Sequence, residues 1–199
     1  MVDWDARYRA EGYLFGTEPA VFLQRQSRWL APGSRVLCVA DGEGRNSVFL
    51  AGQGHRVTAF DASSVALDKA RMLAQARGVS VEFREAGIED WDWSTGFDAV
   101  VGVFIQFAGP DLRARLFGWI GQAVRPGGLL LLHGYAPRQV EYGTGGPPCA
   151  EQMYTGDLLR AAFPDWEILR LADYDTEVSE GSGHKGRSAL IDLVARKPG

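Results

Sequence analysis

Two glycines and one carboxylate give the chain its first chemical signature. An apolar run, Val36 to Ala40, passes into Asp41-Gly42-Glu43-Gly44-Arg45-Asn46. Without a Cβ, glycines at 42 and 44 let a tight turn bring backbone N–H groups against a ligand. Asp61 closes the next apolar run, at the spacing of about 20 residues at which a strand-tip carboxylate accepts the hydroxyls of a ribose. The same residues also suit a plain strand-to-helix turn and a helix N-cap, a role open to Ser63 as well. The dinucleotide fingerprint is incomplete, because counting from Gly42 places Ser47 where its last glycine belongs. After the third run, Gly87 and Ile88 offer backbone polar groups and an apolar wall for a purine. After the fourth, Gln106 combines a donor and an acceptor in one side chain. His184, Lys185 and Arg187 gather titratable or positive groups in Gly-Ser-Gly-His-Lys-Gly-Arg, which also reads as a solvated hairpin tip.

These residues need strands to carry them, and the patterning supplies strands. SRVLCVA, HRVTAFD, VSVEFRE, FDAVVGVFIQF and GGLLLLHGY are short apolar runs. The helical segments between them include SVFLAGQG, SVALDKARMLAQARG and PDLRARLFGWIGQAV. Such alternation predicts an α/β fold, a doubly wound and mostly parallel sheet covered by helices on both faces. Helices are expected over 3–12 and 18–30, with Pro19 near the first turn of the second. Beyond 135 a Gly/Pro-rich stretch, 136–152, is longer than most ordered connections and reads as a binding loop. A helix near 155–163 follows. WEILRLADYD and RSALIDLVARK come next with no helix between them, so they should pair antiparallel.

The 199 residues, 46% of them hydrophobic, suit one domain with a full core. A net charge of -4 and the lack of a Lys/Arg run point to a small-molecule partner rather than nucleic acid. Cys38 and Cys149 form no CxxC pair and, with the three histidines, no zinc spacing, so no metal is expected. A buried thiol and a loop thiol fit a reducing cytoplasm. The charged, aromatic start lacks the features of a signal peptide, and the apolar runs fall short of the about 20 residues that span a bilayer. Nothing distinguishes a monomer from a homodimer.

With these motifs in view, the chain resembles the class I S-adenosylmethionine-dependent methyltransferases, in the bacterial branch of tellurite-resistance and thiopurine methyltransferases. The likeness runs through nearly the whole chain, in WDARY, YLFGTEP, VLCVADGEGRN, VTAFDAS, FDAVVGVF, VRPGGLLLL and VARK. It implies a Rossmann-like sheet of seven strands with the last antiparallel, and S-adenosyl-L-methionine as cofactor. It implies that Ala40, Asp41, Gly42 and Gly44 cradle the methionine part, that Asp61 and Ala62 hold the ribose, and that Gly87 and Ile88 flank the adenine. Val103 and Phe104 would lie beside the sulfonium. Trp4, Tyr8 and Phe15 would reach it from an N-terminal helical lid, 1–30. Cys38 stands where the family usually has an acid, and Ala40 where it has glycine. Asp41, where Cys or Glu is common, could meet the cofactor's ammonium.

The expected reaction is methyl transfer to a small, electron-rich or anionic acceptor by in-line displacement, in which alignment supplies much of the catalysis. Gln106, His184 and Arg187 are the substrate-side candidates. A cofactor-binding module without catalysis, or an NAD-dependent dehydrogenase, is the alternative.

Overall fold

The computed structural model describes residues 3–181 and 183–199. Met1 and Val2 of the expected lid, and Ser182 of the basic cluster, lie outside them. Seven strands form one sheet: β1 (Arg35–Val39), β2 (Arg56–Asp61), β3 (Glu82–Glu85), β4 (Phe97–Val103), β5 (Val124–Tyr135), β6 (Glu167–Glu180) and β7 (His184–Arg196). Their order is β3-β2-β1-β4-β5-β7-β6. The first five are parallel, and β7 lies antiparallel to both β5 and β6. The expected fold class is the observed one.

Both sheet faces are apolar for a geometric reason. Successive side chains on a strand point to opposite faces. Leu37, Val39, Val100, Leu130 and Leu132 therefore join one core, while Val36, Cys38, Ala99, Val101, Leu129 and Leu131 join the other. Continuous runs such as VLCV and LLLL are what a strand covered on both sides requires. Each fully buried leucine contributes about 1.5–3 kcal/mol.

The crossovers end as their sequences direct. Helix α4 (Ser64–Arg77) is capped by the Ser63 side chain, which accepts from Ala66 N, and closes on Gly78 in the left-handed region. Helix α5 (Pro110–Ala123) opens on Pro110. Helix α3 (Arg45–Gly52) starts earlier than the apolar pattern suggests, directly after Gly44. The two N-terminal helices are shorter than expected: α1 (Trp4–Tyr8) and α2 (Val21–Gln26), the latter continued by a 3-10 turn. Helix α6 (Gly156–Ala162) is capped by Thr155. The largest departure is the last hairpin. β6 and β7 run on to a Glu180–His184 pair, so His184 and Arg187, read as part of a tip, are strand residues.

Candidate active site

The strand order reverses between β1 and β4, and ligands of such sheets bind outside the carboxyl ends at that point. A cavity of about 1050 Å³ lies there. The backbone is strained where it lines the opening. Ala40, after β1, and Phe104, after β4, are the two non-glycine residues at positive φ among those described, at 46° and 57°. Such conformations cost roughly 1–3 kcal/mol each and gather at functional sites. Ala40 keeps the left-handed turn although it is not glycine.

The two glycines of the turn do different work. Gly42 borders the cavity, and a Cβ on it would lie 2.7 Å from the Tyr8 hydroxyl. Gly44 is the N-cap of α3 and does not border the cavity; its Cβ would fall 2.7 Å from Ala70 Cβ and 2.9 Å from Ala70 Cα on α4. Its lack of a side chain serves helix packing, which is where the expected ligand role of Gly44 needs correcting.

Asp61 is 8% exposed. One carboxylate oxygen accepts from Gly42 N at 2.8 Å and the other from Ser63 N at 2.9 Å. Burial raises its pKa, against the lowering by those N–H groups. Ser63 serves as the helix cap, so Asp61 is left to brace the glycine turn and face the cavity. Asp41 also lines it. Its Oδ2 is buried without a hydrogen-bond partner, and burial lifts its pKa to about 7. Ala62, Gly87, Ile88 and Val103 border the cavity.

Trp4, Tyr8 and Phe15 close it from above. Trp4 stacks on Tyr8 with centroids 5.7 Å apart, and Phe15 meets Tyr8 edge-on. The segment is held by groups the sequence reading passed over. Lys69 Nζ donates to the carbonyls of Ala10 (2.8 Å) and Gly12 (2.6 Å) and to Glu43 Oε1 (2.9 Å). Glu43 Oε2 accepts from Leu14 N at 2.7 Å. Glu43 sits between the two glycines, so the turn and the covering segment share one anchor.

The substrate-side candidates separate. His184 borders the cavity, with Nδ1 2.8 Å from the Tyr135 hydroxyl. Arg187 does not; it ion-pairs with Asp175 at 3.2 Å and stacks over Tyr142. Three residues apart on one strand, the two side chains point to opposite faces. Gln106 reaches the cavity, but its Nε2 donates to Tyr135 O at 2.8 Å and its Oε1 accepts from Tyr135 N at 2.5 Å. β4 stops at Val103 while β5 continues to Tyr135, so the Gln106 amide extends the ladder and is not free to hold a substrate. Tyr135 itself, with Pro147 and Pro148 of the long loop, completes the wall.

Comparison with known proteins agrees with this arrangement. Residues 36–128 match the family described as a methyltransferase domain. The matched segment runs from β1 to the start of β5 and so contains the glycine turn and Asp61. A ubiquinone biosynthesis O-methyltransferase of Paramagnetospirillum magneticum is 33% identical over 99 residues, 50% of this chain and 39% of that protein. The chain spans less than half the length of the curated relatives it matches. Among solved structures, one described under the conversion of a disulfide bond into a thioacetal group during echinomycin biosynthesis superimposes with a TM-score of 0.79. It has 22% identity and covers 98% of this chain and 91% of that one. TehB from Haemophilus influenzae gives 0.72 at 17% identity, over 88% and 61%. The fold is also shared with a structure described as a SAM-dependent methyltransferase from Methanosarcina mazei, with a TM-score of 0.72 at 18% identity over 91% of this chain and 99% of that one.

Proposed function

We propose that the protein is an S-adenosylmethionine-dependent methyltransferase acting on a small electron-rich acceptor. The observation that carries this is the Asp61 carboxylate bound to Gly42 N at the switch point of the sheet, inside a cavity large enough for cofactor and acceptor together. The likeness to TehB supports the branch of tellurite-resistance and thiopurine methyltransferases. The cofactor supplies an activated methyl group when bound. Asp61 would hold the ribose, Gly87 and Ile88 the adenine, and the turn at Ala40 to Gly42 the methionine part. The unpartnered Asp41 Oδ2 suits the ammonium. The chain's remaining work is alignment and exclusion of water by Trp4, Tyr8 and Phe15. A small-molecule partner and a cytoplasmic setting agree with the acidic composition; among the described residues, no helix is long and apolar enough to cross a membrane.

Calorimetry with S-adenosylhomocysteine and with NADH tests the assignment: the first should bind and the second should not. Binding of NADH alone overturns it, and binding of S-adenosylhomocysteine without any methyl transfer favours a non-catalytic module.

Asp41 adds a pH signature. Near pH 7 its carboxyl is partly protonated, through burial. An ammonium beside it favours the ionised form, so binding should release a proton. Affinity should then climb as pH rises towards about 7 and level off above. Asp41→Asn should flatten that profile; a wild-type affinity that does not change between pH 5.5 and 8 removes Asp41 from the site.

The covering segment is expected to act as a lid latched by Lys69 and Glu43. Lys69→Met removes three hydrogen bonds made by a charged donor, each worth about 1.5–3 kcal/mol when buried and less at this partly exposed position. S-adenosylhomocysteine should bind roughly tenfold more weakly, and amides of residues 3–15 should exchange faster in the complex. Unaltered exchange in that segment would show that the latch holds nothing.

A further inference from the structure

The acceptor side of the cavity is walled by rings. Phe15 from the N-terminal segment, Phe104 after β4, Tyr135 on β5 and His184 on β7 converge there. The His184 ring centroid lies 4.1 Å from Phe104, 4.5 Å from Phe15 and 5.7 Å from Tyr135, and Phe104 lies 4.8 Å from Tyr135. His184 is neutral at any working pH, since burial first and then Arg45 push its pKa down to about 3. Burial, with Glu180 adding to it, pushes the Tyr135 hydroxyl upward, so it stays protonated. Two arginines border the cavity near this wall: Arg45 is ion-paired to Glu180 and donates to Phe15 O at 3.3 Å, and Arg7 lies over the Trp4 ring, 4.8 Å from its centroid. Asp41 and Asp61 sit on the other side, at the glycine turn and the tip of β2. The wall thus presents aromatic faces, the two arginines near it are engaged by Glu180 and by the Trp4 ring, and none of its four ring side chains titrates near neutrality.

This narrows the acceptor. An alcohol must lose a proton during methylation, which calls for a base, and a thiol reacts as its thiolate, which enters as an anion with a desolvation cost of its own. An amine is protonated at neutral pH and would have to shed that proton before reacting. An oxyanion would have to draw Arg7 off the Trp4 ring or Arg45 off Glu180 to offset its desolvation cost. A divalent sulfur carries a reactive lone pair at every pH, needs no proton removed and makes favourable contacts with aromatic rings. Its methylated product is a cation, the ligand type that aromatic faces hold best.

We propose, building on the methyltransferase reading above, that the acceptor is a neutral thioether-type sulfur received by the wall of Phe15, Phe104, Tyr135 and His184 and methylated to a sulfonium. The acceptor's lone pair forms the new S–C bond. The old C–S bond breaks with its electron pair, which stays on the departing thioether. The positive charge passes from one sulfur to the other, and no proton moves. The rings face a cation before and after the transfer.

The test uses the wild-type protein loaded with S-adenosylhomocysteine, so that the cofactor reading is checked first. Dimethylphenylsulfonium, a product mimic, is titrated against its uncharged isostere isopropylbenzene. The sulfonium is expected to bind at least tenfold more tightly, and equal or weaker binding overturns the proposal. In parallel, methyl phenyl sulfide, thiophenol and benzoate are offered with S-adenosylmethionine, and products are read by mass. The sulfide should be methylated fastest; thiophenol or benzoate ahead of it overturns the proposal. Failure of S-adenosylhomocysteine itself to bind overturns the methyltransferase reading, which is a different result from a bound cofactor beside an indifferent wall.

Discussion

Asp61→Ala is expected to weaken S-adenosylhomocysteine binding roughly hundredfold while the protein stays folded. Hydrogen bonds to a charged group contribute about 1.5–3 kcal/mol, and a factor of ten corresponds to about 1.4 kcal/mol. Two losses combine here. The carboxylate is the proposed partner of the ribose, and it also accepts from Gly42 N and Ser63 N, so its removal loosens the turn under the ligand. Asp61→Asn should do nearly as badly, because its amide NH₂ would face one of those two donors. Calorimetry measures the affinity and thermal unfolding checks the fold. A folded Asp61→Ala protein with wild-type affinity would remove this carboxylate from the cofactor site.

The second large effect divides the glycine turn. Gly44→Val should fail in folding, and Gly42→Ala should fail in binding. At Gly44, φ is 86° and a Cβ would lie 2.9 Å from the main chain of α4 at Ala70. Overpacking of this kind costs about 1–3 kcal/mol and a left-handed β-branched residue a similar amount. Together these remove much of a typical stability of about 5–15 kcal/mol. At Gly42, φ is 60° and the obstacle is the Tyr8 hydroxyl, the end of a side chain that can swing away. The fold should survive there, with the covering segment displaced and affinity for S-adenosylhomocysteine down at least tenfold. Thermal unfolding and calorimetry on both variants separate the two. If Gly44→Val folds normally and only loses ligand, Gly44 serves the ligand and not the packing of α3 on α4.

The contrast shows where sequence reading stops. From spacing alone, both glycines looked alike as ligand contacts. Their difference depends on Tyr8 and Ala70, residues remote in the chain. The sheet, by contrast, was legible almost in full, because alternate residues of each apolar run must enter the two cores on either side of it. Asp61 was legible for a related reason: in a doubly wound fold, a strand's last residue is placed at the crevice by topology. Cys38 and Cys149 also lie as their surroundings implied, one buried and one exposed, both free.

Other features required the assembled chain. The hairpin pairing of β6 and β7 extends past the run that announced it, so His184 turns inward and Arg187 outward. Gln106 appeared free to bind a substrate until the early end of β4 left Tyr135's main chain in need of a partner. The anchors of the N-terminal covering segment, Glu43 and Lys69, belong to elements whose approach no local pattern encodes. Periodicity and strand-tip position are local consequences of backbone geometry, so the sequence by itself determined the layers, the crevice and the acid at its edge. Which side chains meet across the crevice, and which of them remain free or charged, depends on packing between distant segments, and only the tertiary structure decided that.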